Sequence, residues 1–326
     1  MANADQVKAL IKSHAQGDDT RFYSVALQVA ARAARSGQGR LAQELRDLVD
    51  ELRKGEQLRA QPRQRPTPVT QPRGELSELL SVSYPTTRMA DLVLEQGVRD
   101  QLKLVVLEQR QHDRLHAQGF RPLRRVLLIG PPGTGKTMSA GALAGELRLP
   151  LFVIRLDGLI TKFMGETAAK LRLVFDALAE TRGVYLFDEV DALGGERARV
   201  NDVGEIRRVL NSFLQFLEQN ESDSLLVAAT NHPQLLDRAM FRRFDSVIQY
   251  PLPTSDLARA VIRNRLATVK LARIAWSQVD QVAAGLSHAE ITLAAERAAK
   301  DAILGGDDRV GTSALVSALG ERHSTS

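Results

Sequence analysis

Gly130, Gly135, Lys136 and Thr137 fall at the spacing G-x-x-x-x-G-K-[ST] inside RVLLIGPPGTGKT at 125–137, where a short apolar strand empties into a glycine-rich turn. The chemistry of a phosphate-binding loop needs each of these residue types in its place. Glycine lets the chain turn tightly enough for backbone N–H groups to converge on an anion. The Lys136 ammonium is a point charge for the outer phosphates, and the Thr137 hydroxyl is a ligand for magnesium. The helix that starts here turns its positive end toward the anion. Pro132, Gly133, Thr134, Gly135, Lys136, Thr137 and Met138 are therefore the candidate nucleotide-binding residues.

Two further stretches carry chemistry that a phosphate loop alone does not. In YLFDEVD, at 185–191, an apolar strand ends in Asp188 and Glu189. In a parallel sheet this is the carboxyl edge, where the phosphate loop also lies. Asp188 is placed to hold magnesium together with Thr137, and Glu189 to accept a proton from, or orient, the water that attacks the terminal phosphate. VAATN, at 227–231, delivers Asn231 to the same edge. An amide there can hydrogen-bond the attacking water or the phosphate, although an asparagine after a strand is by itself an ordinary turn residue.

These residues meet only if strands and helices alternate around them, and the pattern does so. Helices at 138–147, 168–180 and 205–218 separate strands at 151–156, 184–187, 225–229 and, last, 247–250. Such alternation means crossover connections and a parallel sheet covered on both faces, the α/β class. Ahead of the loop, 75–118 reads as mostly helical, with Leu92, Val93, Val98, Leu102, Val105 and Val106 recurring at three and four. Past Pro251 and Pro253 the pattern is helical only. The expected domains are an N-terminal helical bundle over 1–55, a basic Pro-rich linker over 56–74, a large α/β domain over 75–252 and a small all-helical domain over 253–326.

Composition narrows the class. The 326 residues are 44% hydrophobic and 25% charged, ordinary for a globular protein, and lack cysteine, which excludes disulfides and thiolate zinc sites. No run approaches the roughly 20 apolar residues of a membrane span, and MANADQVK is not a secretory leader. A cytoplasmic protein with no membrane role is expected. The net charge of +5 is local: 53–73 holds six basic residues against one acidic, while 1–52 and 74–326 are each neutral. That is a basic tether, whose arginines are either solvated or available to nucleic acid or an acidic surface. The bundle before it, with Leu41, Leu45, Leu48 and Leu52 on one seam, reads as a docking module or as a plain helical cap.

GPPGTGKT, LFDEVD, AATN and LLDRAMFRRFD, in that order, resemble the AAA+ ATPases and, within them, the AAA type that remodels proteins; the resemblance covers about residues 90–305. It implies a P-loop fold with a five-stranded parallel sheet ordered 5-1-4-3-2, flanked by helices and followed by a small helical lid. It also implies ATP hydrolysis with Mg2+, in a homo-oligomeric ring, usually a hexamer, with ATP at subunit interfaces. Arg242 and Arg243 match the place of the arginine fingers that reach the neighbouring subunit's ATP, without the Pro-Gly pair that separates the two arginines in many relatives. Phe163, Met164 and Gly165 match the aromatic, apolar and glycine positions of a substrate pore loop, where an aromatic beside a flexible thioether can grip many side chains. The polar, glycine-rich 194–204 is either a second pore loop or a surface loop. In the lid, Ser287, His288 and Ala289 occupy the place of a Gly or Ser pair against the nucleotide, and His288 is either an adenine contact or a surface histidine.

The function these features imply is an ATP-hydrolysing motor that remodels, unfolds or threads a protein substrate. The absence of H-E-x-x-H means that any proteolysis would need a separate protease partner. The compact N-terminus and the short arginine spacing look similar to bacterial AAA ATPases paired with a subtilisin-like serine protease. The competing classes are a DNA-associated ATPase of the clamp-loader, transposition or helicase-loading type and a nucleotide-timed assembly switch. The aromatic loop and the lack of a lid arginine favour a protein substrate over nucleic acid.

Overall fold

A computed structural model describes residues 74–159, 166–193, 203–307 and 309–324. The N-terminal bundle, all of the linker but Gly74, the loop at Phe163, Met164 and Gly165, and 194–202 lie outside the described residues.

Six strands form one sheet. They are β1 (Leu80–Ser83), β2 (Arg125–Ile129), β3 (Leu151–Ile154), β4 (Val184–Phe187), β5 (Leu225–Thr230) and β6 (Ser246–Gln249), lying side by side as β1-β3-β4-β5-β2-β6. Read from the β6 edge, the five parallel strands follow the order the resemblance implies. The sixth is a correction to the expected helical reading of 75–118. Leu80–Ser83 runs antiparallel on the edge of β3, with Leu80 opposite Ile154 and Ser83 opposite Leu151. Before it stands the five-residue helix α1 (Glu75–Leu79), and helix α2 (Gln96–Arg110) begins only after an extended stretch. A short helix α3 (His112–Ala117) then leads toward β2.

The inner parallel strands are largely apolar because both faces are covered. In β4, Tyr185 and Phe187 face one side while Val184 and Leu186 face the other, and β2 divides Leu127 and Ile129 from Val126 and Leu128 in the same way. One face packs against α6 (Glu166–Glu180), through Leu171, Val174, Phe175 and Leu178, and α7 (Val203–Gln219), through Phe213, Leu214 and Leu217. The other packs against α2, through Val98, Leu102, Val105 and Val106, and α4 (Lys136–Leu147), through Ala140, Ala142, Leu143 and Ala144. Expected strand 151–156 stops at Ile154, since Leu156 opens the one-turn helix α5 (Leu156–Leu159) and the Arg155 N–H donates to the Leu79 carbonyl.

After the one-turn helix α8 (Arg238–Phe241) and β6, the chain forms a third core among α9 (Ser255–Arg265), α10 (Trp276–Ala283), α11 (His288–Leu304) and α12 (Thr312–His323). This part is not purely helical as expected. Two-residue strands β7 (Lys270–Leu271) and β8 (Arg309–Val310) pair in parallel and tie the ends of α9 and α11 together.

Candidate active site

The phosphate loop sits where β2 leaves the sheet. Gly130 lies so close to the end of β6 that a Cβ there would stand 2.2 Å from the Tyr250 carbonyl oxygen, and its own N–H donates to the Thr230 carbonyl. The loop therefore starts between the ends of β5 and β6. Gly133, at φ +73°, holds the tip in a conformation that disfavours any side chain. A Cβ there would meet Ser287 Oγ at 2.6 Å, and the Gly133 carbonyl accepts the Ala289 N–H at 3.0 Å. The tip of the phosphate loop is thus bonded to the first turn of α11.

Lys136 is buried, and its ammonium donates to the carbonyls of Gly130 at 2.7 Å and Pro131 at 2.8 Å. Burial lowers its pKa, an effect that Asp188 and Asp191 oppose by stabilising the cation. Thr134 braces the turn through Oγ1 to the Pro131 carbonyl, and Ser139 braces the helix through Oγ to the Gly135 carbonyl. Pro132 is exposed at the tip, and Met138 presents a side chain that is 51% exposed beside Thr137.

The acidic turn meets the loop directly. Thr137 Oγ1 donates to Asp188 Oδ2 at 2.7 Å, while Asp188 Oδ1 accepts the Glu189 N–H at 3.0 Å. Glu189 is exposed and adopts φ +54°, a left-handed backbone that L residues other than Asn and Asp rarely take. Its carbonyl accepts the Ala192 N–H at 2.8 Å, closing a 3-10 turn over Val190–Leu193. Asn231 follows the last residue of β5 and is half-buried at the strand end from which Thr230 bonds Gly130. A hard-oxygen pair such as Thr137 and Asp188 suits Mg2+, whose remaining ligands are usually phosphate and water. Among the described residues no group of three His, Cys, Asp or Glu could hold a metal by itself.

Two sets of expected residues stand apart from this hydrogen-bonded group. Arg243 is committed within the chain, with Nε 2.7 Å from Glu218 Oε1 and Nη1 donating to the Ala239 carbonyl at 2.9 Å. Arg242 is exposed at the end of α8. His288 follows Ser287, which caps α11 in a reciprocal box with Glu290. It is not an ordinary surface histidine. Both ring nitrogens are buried and make no well-formed hydrogen bond among the described residues; burial pushes the imidazole pKa down, while the neighbouring Val93 backbone acts in the opposite direction.

The sequence patterns left two residues of the site without a role. Thr230 Oγ1 donates to Asp191 Oδ1 at 2.6 Å and accepts the His232 N–H at 2.9 Å. Both residues lie inside the motifs that flagged Glu189 and Asn231, and that adjacency was the only available signal.

Comparison with known proteins agrees with this geometry. The model of the ATPase family associated with various cellular activities (AAA) matches residues 126–252, the span from β2 through β6. The chain is 31% identical over 306 residues to the AAA family ATPase y4kL of Sinorhizobium fredii, covering 93% of this chain and 90% of that one. It is 33% identical over 227 residues to the ATP-dependent zinc metalloprotease FtsH of Sulfurovum sp., covering 67% of this chain and 34% of that protein. With the proteasome-activating nucleotidase of Methanothermobacter thermautotrophicus it shares 36% over 186 residues, or 55% of this chain and 45% of the other. It therefore spans less than half the length of these last two relatives. The crystal structure of the FIGL-1 AAA domain matches with a TM-score of 0.60 at 27% identity, covering 74% of this chain and 85% of that one. Likeness along nearly the whole of one AAA family ATPase, and a family match over the strands that carry the phosphate loop and the acidic turn, settle the matter: the chain belongs to the AAA family and is an ATPase.

Proposed function

We propose that the protein is a magnesium-dependent ATP motor that works as a homo-oligomeric ring, most simply a hexamer, and remodels or threads a protein substrate. The 2.7 Å bond from Thr137 to Asp188 carries the catalytic half of this reading, because it brings the phosphate-loop helix and the acidic turn to one point. Thr137 and Asp188 would hold Mg2+, which supplies charge neutralisation for the β- and γ-phosphates. The Lys136 ammonium has two carbonyl partners in the loop and can exchange them for phosphate oxygens. Glu189, exposed at the strand end, takes the proton of the attacking water, and Asn231 orients that water. Met138, Pro132 and Gly133 line the approach, Thr134 braces the turn, and His288 flanks the base from the first turn of α11, which is bonded to the loop tip.

Arg242 is the finger offered to a neighbouring copy. It is exposed, whereas Arg243 is engaged by Glu218 and Ala239. A guanidinium delivered at that point neutralises charge that develops on the transferred phosphoryl.

A protein substrate is favoured by the aromatic loop Phe163, Met164 and Gly165 and by the printed names of two relatives, a metalloprotease and a proteasome-activating nucleotidase. The protease partner proposed, where one is involved, is a separate chain, and the N-terminal region is the proposed module that recruits partner or substrate. No helix among the described residues is long and apolar enough to cross a membrane, and the working site proposed is the cytoplasm. The test is ATP-driven unfolding of a folded reporter that carries an unstructured tail. Phe163→Ala should keep ATP turnover within about twofold of wild type while unfolding is lost. Unfolding at the wild-type rate would remove the pore-loop role.

A further inference from the structure

We propose that Thr230 and Asp191 form a positioning latch: one hydroxyl ties the Glu189 turn to the strand end that carries Asn231, so that the proton acceptor and the water-orienting amide are set by the same bond. The inference rests on Glu189 being that acceptor.

The direction of the bonds follows from what a hydroxyl can do. Thr230 has one O–H proton and two acceptor sites, and the His232 N–H at 2.9 Å can only donate to it. The proton of Thr230 is therefore free for Asp191 Oδ1, which lies 2.6 Å away, the short distance of a hydroxyl bonded to a carboxylate. Bonds to Thr230 and from His232 bracket Asn231 on both sides. On the other side of the latch, Asp191 stands two residues beyond Glu189, whose φ of +54° is costly and must be held by its surroundings. Besides the Ala192 N–H donated to the Glu189 carbonyl, three restraints act on that turn. Asp188 accepts the Glu189 N–H, Val190 is fully buried in the core beneath the sheet, and Asp191 is held by Thr230. The first two fix the backbone before and immediately after Glu189. Of the hydrogen bonds described for the turn, the third is the one that ties it to the end of β5.

That strand is also tied to the phosphate loop, since the Thr230 carbonyl accepts the Gly130 N–H. Thr230 is 1% exposed, and the bond to Asp191 is thus shielded from water. Neither residue has to touch the nucleotide, and their effect passes through Glu189 and Asn231.

The test compares kcat and KM for ATP, with thermal midpoints, in Thr230→Val, Thr230→Ser, Asp191→Ala, Thr230→Val/Asp191→Ala and Glu189→Gln, alanine being chosen because an asparagine oxygen could still accept the Thr230 proton. Thr230→Val keeps the shape and removes the hydroxyl. It should lower kcat about tenfold or more while KM stays within about twofold, and Thr230→Ser should recover most of the loss. The double variant should be little worse than Thr230→Val, because both changes break one bond. Wild-type kcat in Thr230→Val, or a loss that tracks the midpoint and is not restored by serine, overturns the latch. Should Thr230→Val fail to fold, Asp191→Ala decides: an unchanged kcat overturns the proposal and a lowered kcat at constant KM supports it. Glu189→Gln separates the two layers. If that variant still turns over ATP, Glu189 is not the acceptor and the latch loses its purpose. If it is inactive while the Thr230 and Asp191 variants are normal, the latch alone fails.

Discussion

Thr137 Oγ1 and Asp188 Oδ2 lie 2.7 Å apart, which joins the first turn of α4 to the end of β4, although the two residues are 51 positions apart in the chain. Both oxygens suit a hard divalent cation. Asp188→Asn should raise the magnesium concentration for half-maximal turnover by about tenfold or more, and Thr137→Ser should leave it nearly unchanged. A magnesium titration of steady-state ATPase activity measures this. An unchanged requirement in Asp188→Asn would place the ion elsewhere.

The two adjacent arginines should separate cleanly. Arg242→Ala should cut kcat by roughly tenfold to a thousandfold with an unchanged thermal midpoint, because the side chain is exposed. Arg243→Ala breaks the contact with Glu218 and the bond to the Ala239 carbonyl, so its main effect should be a lowered midpoint. Mixing Arg242→Ala chains with Glu189→Gln chains should restore part of the activity, since an intact Glu189 then faces an intact Arg242 across some interfaces. Failure to complement would mean that Arg242 acts within its own chain.

His288 gives stability a pH dependence of known sign. Burial lowers its folded-state pKa below the ordinary value of 6.5. Between the two values the unfolded chain holds the proton and the folded chain does not, so acidification favours unfolding. The contribution is complete above the unfolded value and is lost as pH falls through the folded one. Thermal midpoints measured from about pH 7.5 down to about pH 5.5 should fall less in His288→Gln than in wild type. Parallel curves would show that the imidazole is not held neutral by the fold.

The sheet was legible because its parallel strands are short apolar runs whose residues serve two covered faces, as Val184 to Phe187 do. Strand Leu80–Ser83 was not, because four residues with two serines on an edge carry little pattern, and its pairing with Leu151–Ile154 is set by tertiary packing. Leu92 and Val93 fit a helical period in the sequence but stand in an extended stretch. Leu92 and Leu94 pack under the sheet while Val93 packs against the lid core, an alternation too brief to outweigh the helix that follows. In the site, the motifs located the backbone that brings Lys136, Thr137 and Asp188 together. They could not show the bond between Thr230 and Asp191, which joins side chains 39 positions apart, or the pairing of Arg243 with Glu218, which lies in another helix.

The central claim is that ATP bound at the phosphate loop is hydrolysed by water that Glu189 deprotonates. The most direct measurement is ATP affinity and single-turnover hydrolysis in one preparation of Glu189→Gln. Affinity close to wild type with hydrolysis slowed about a hundredfold or more is the result predicted. Hydrolysis at the wild-type rate with ATP bound would contradict it.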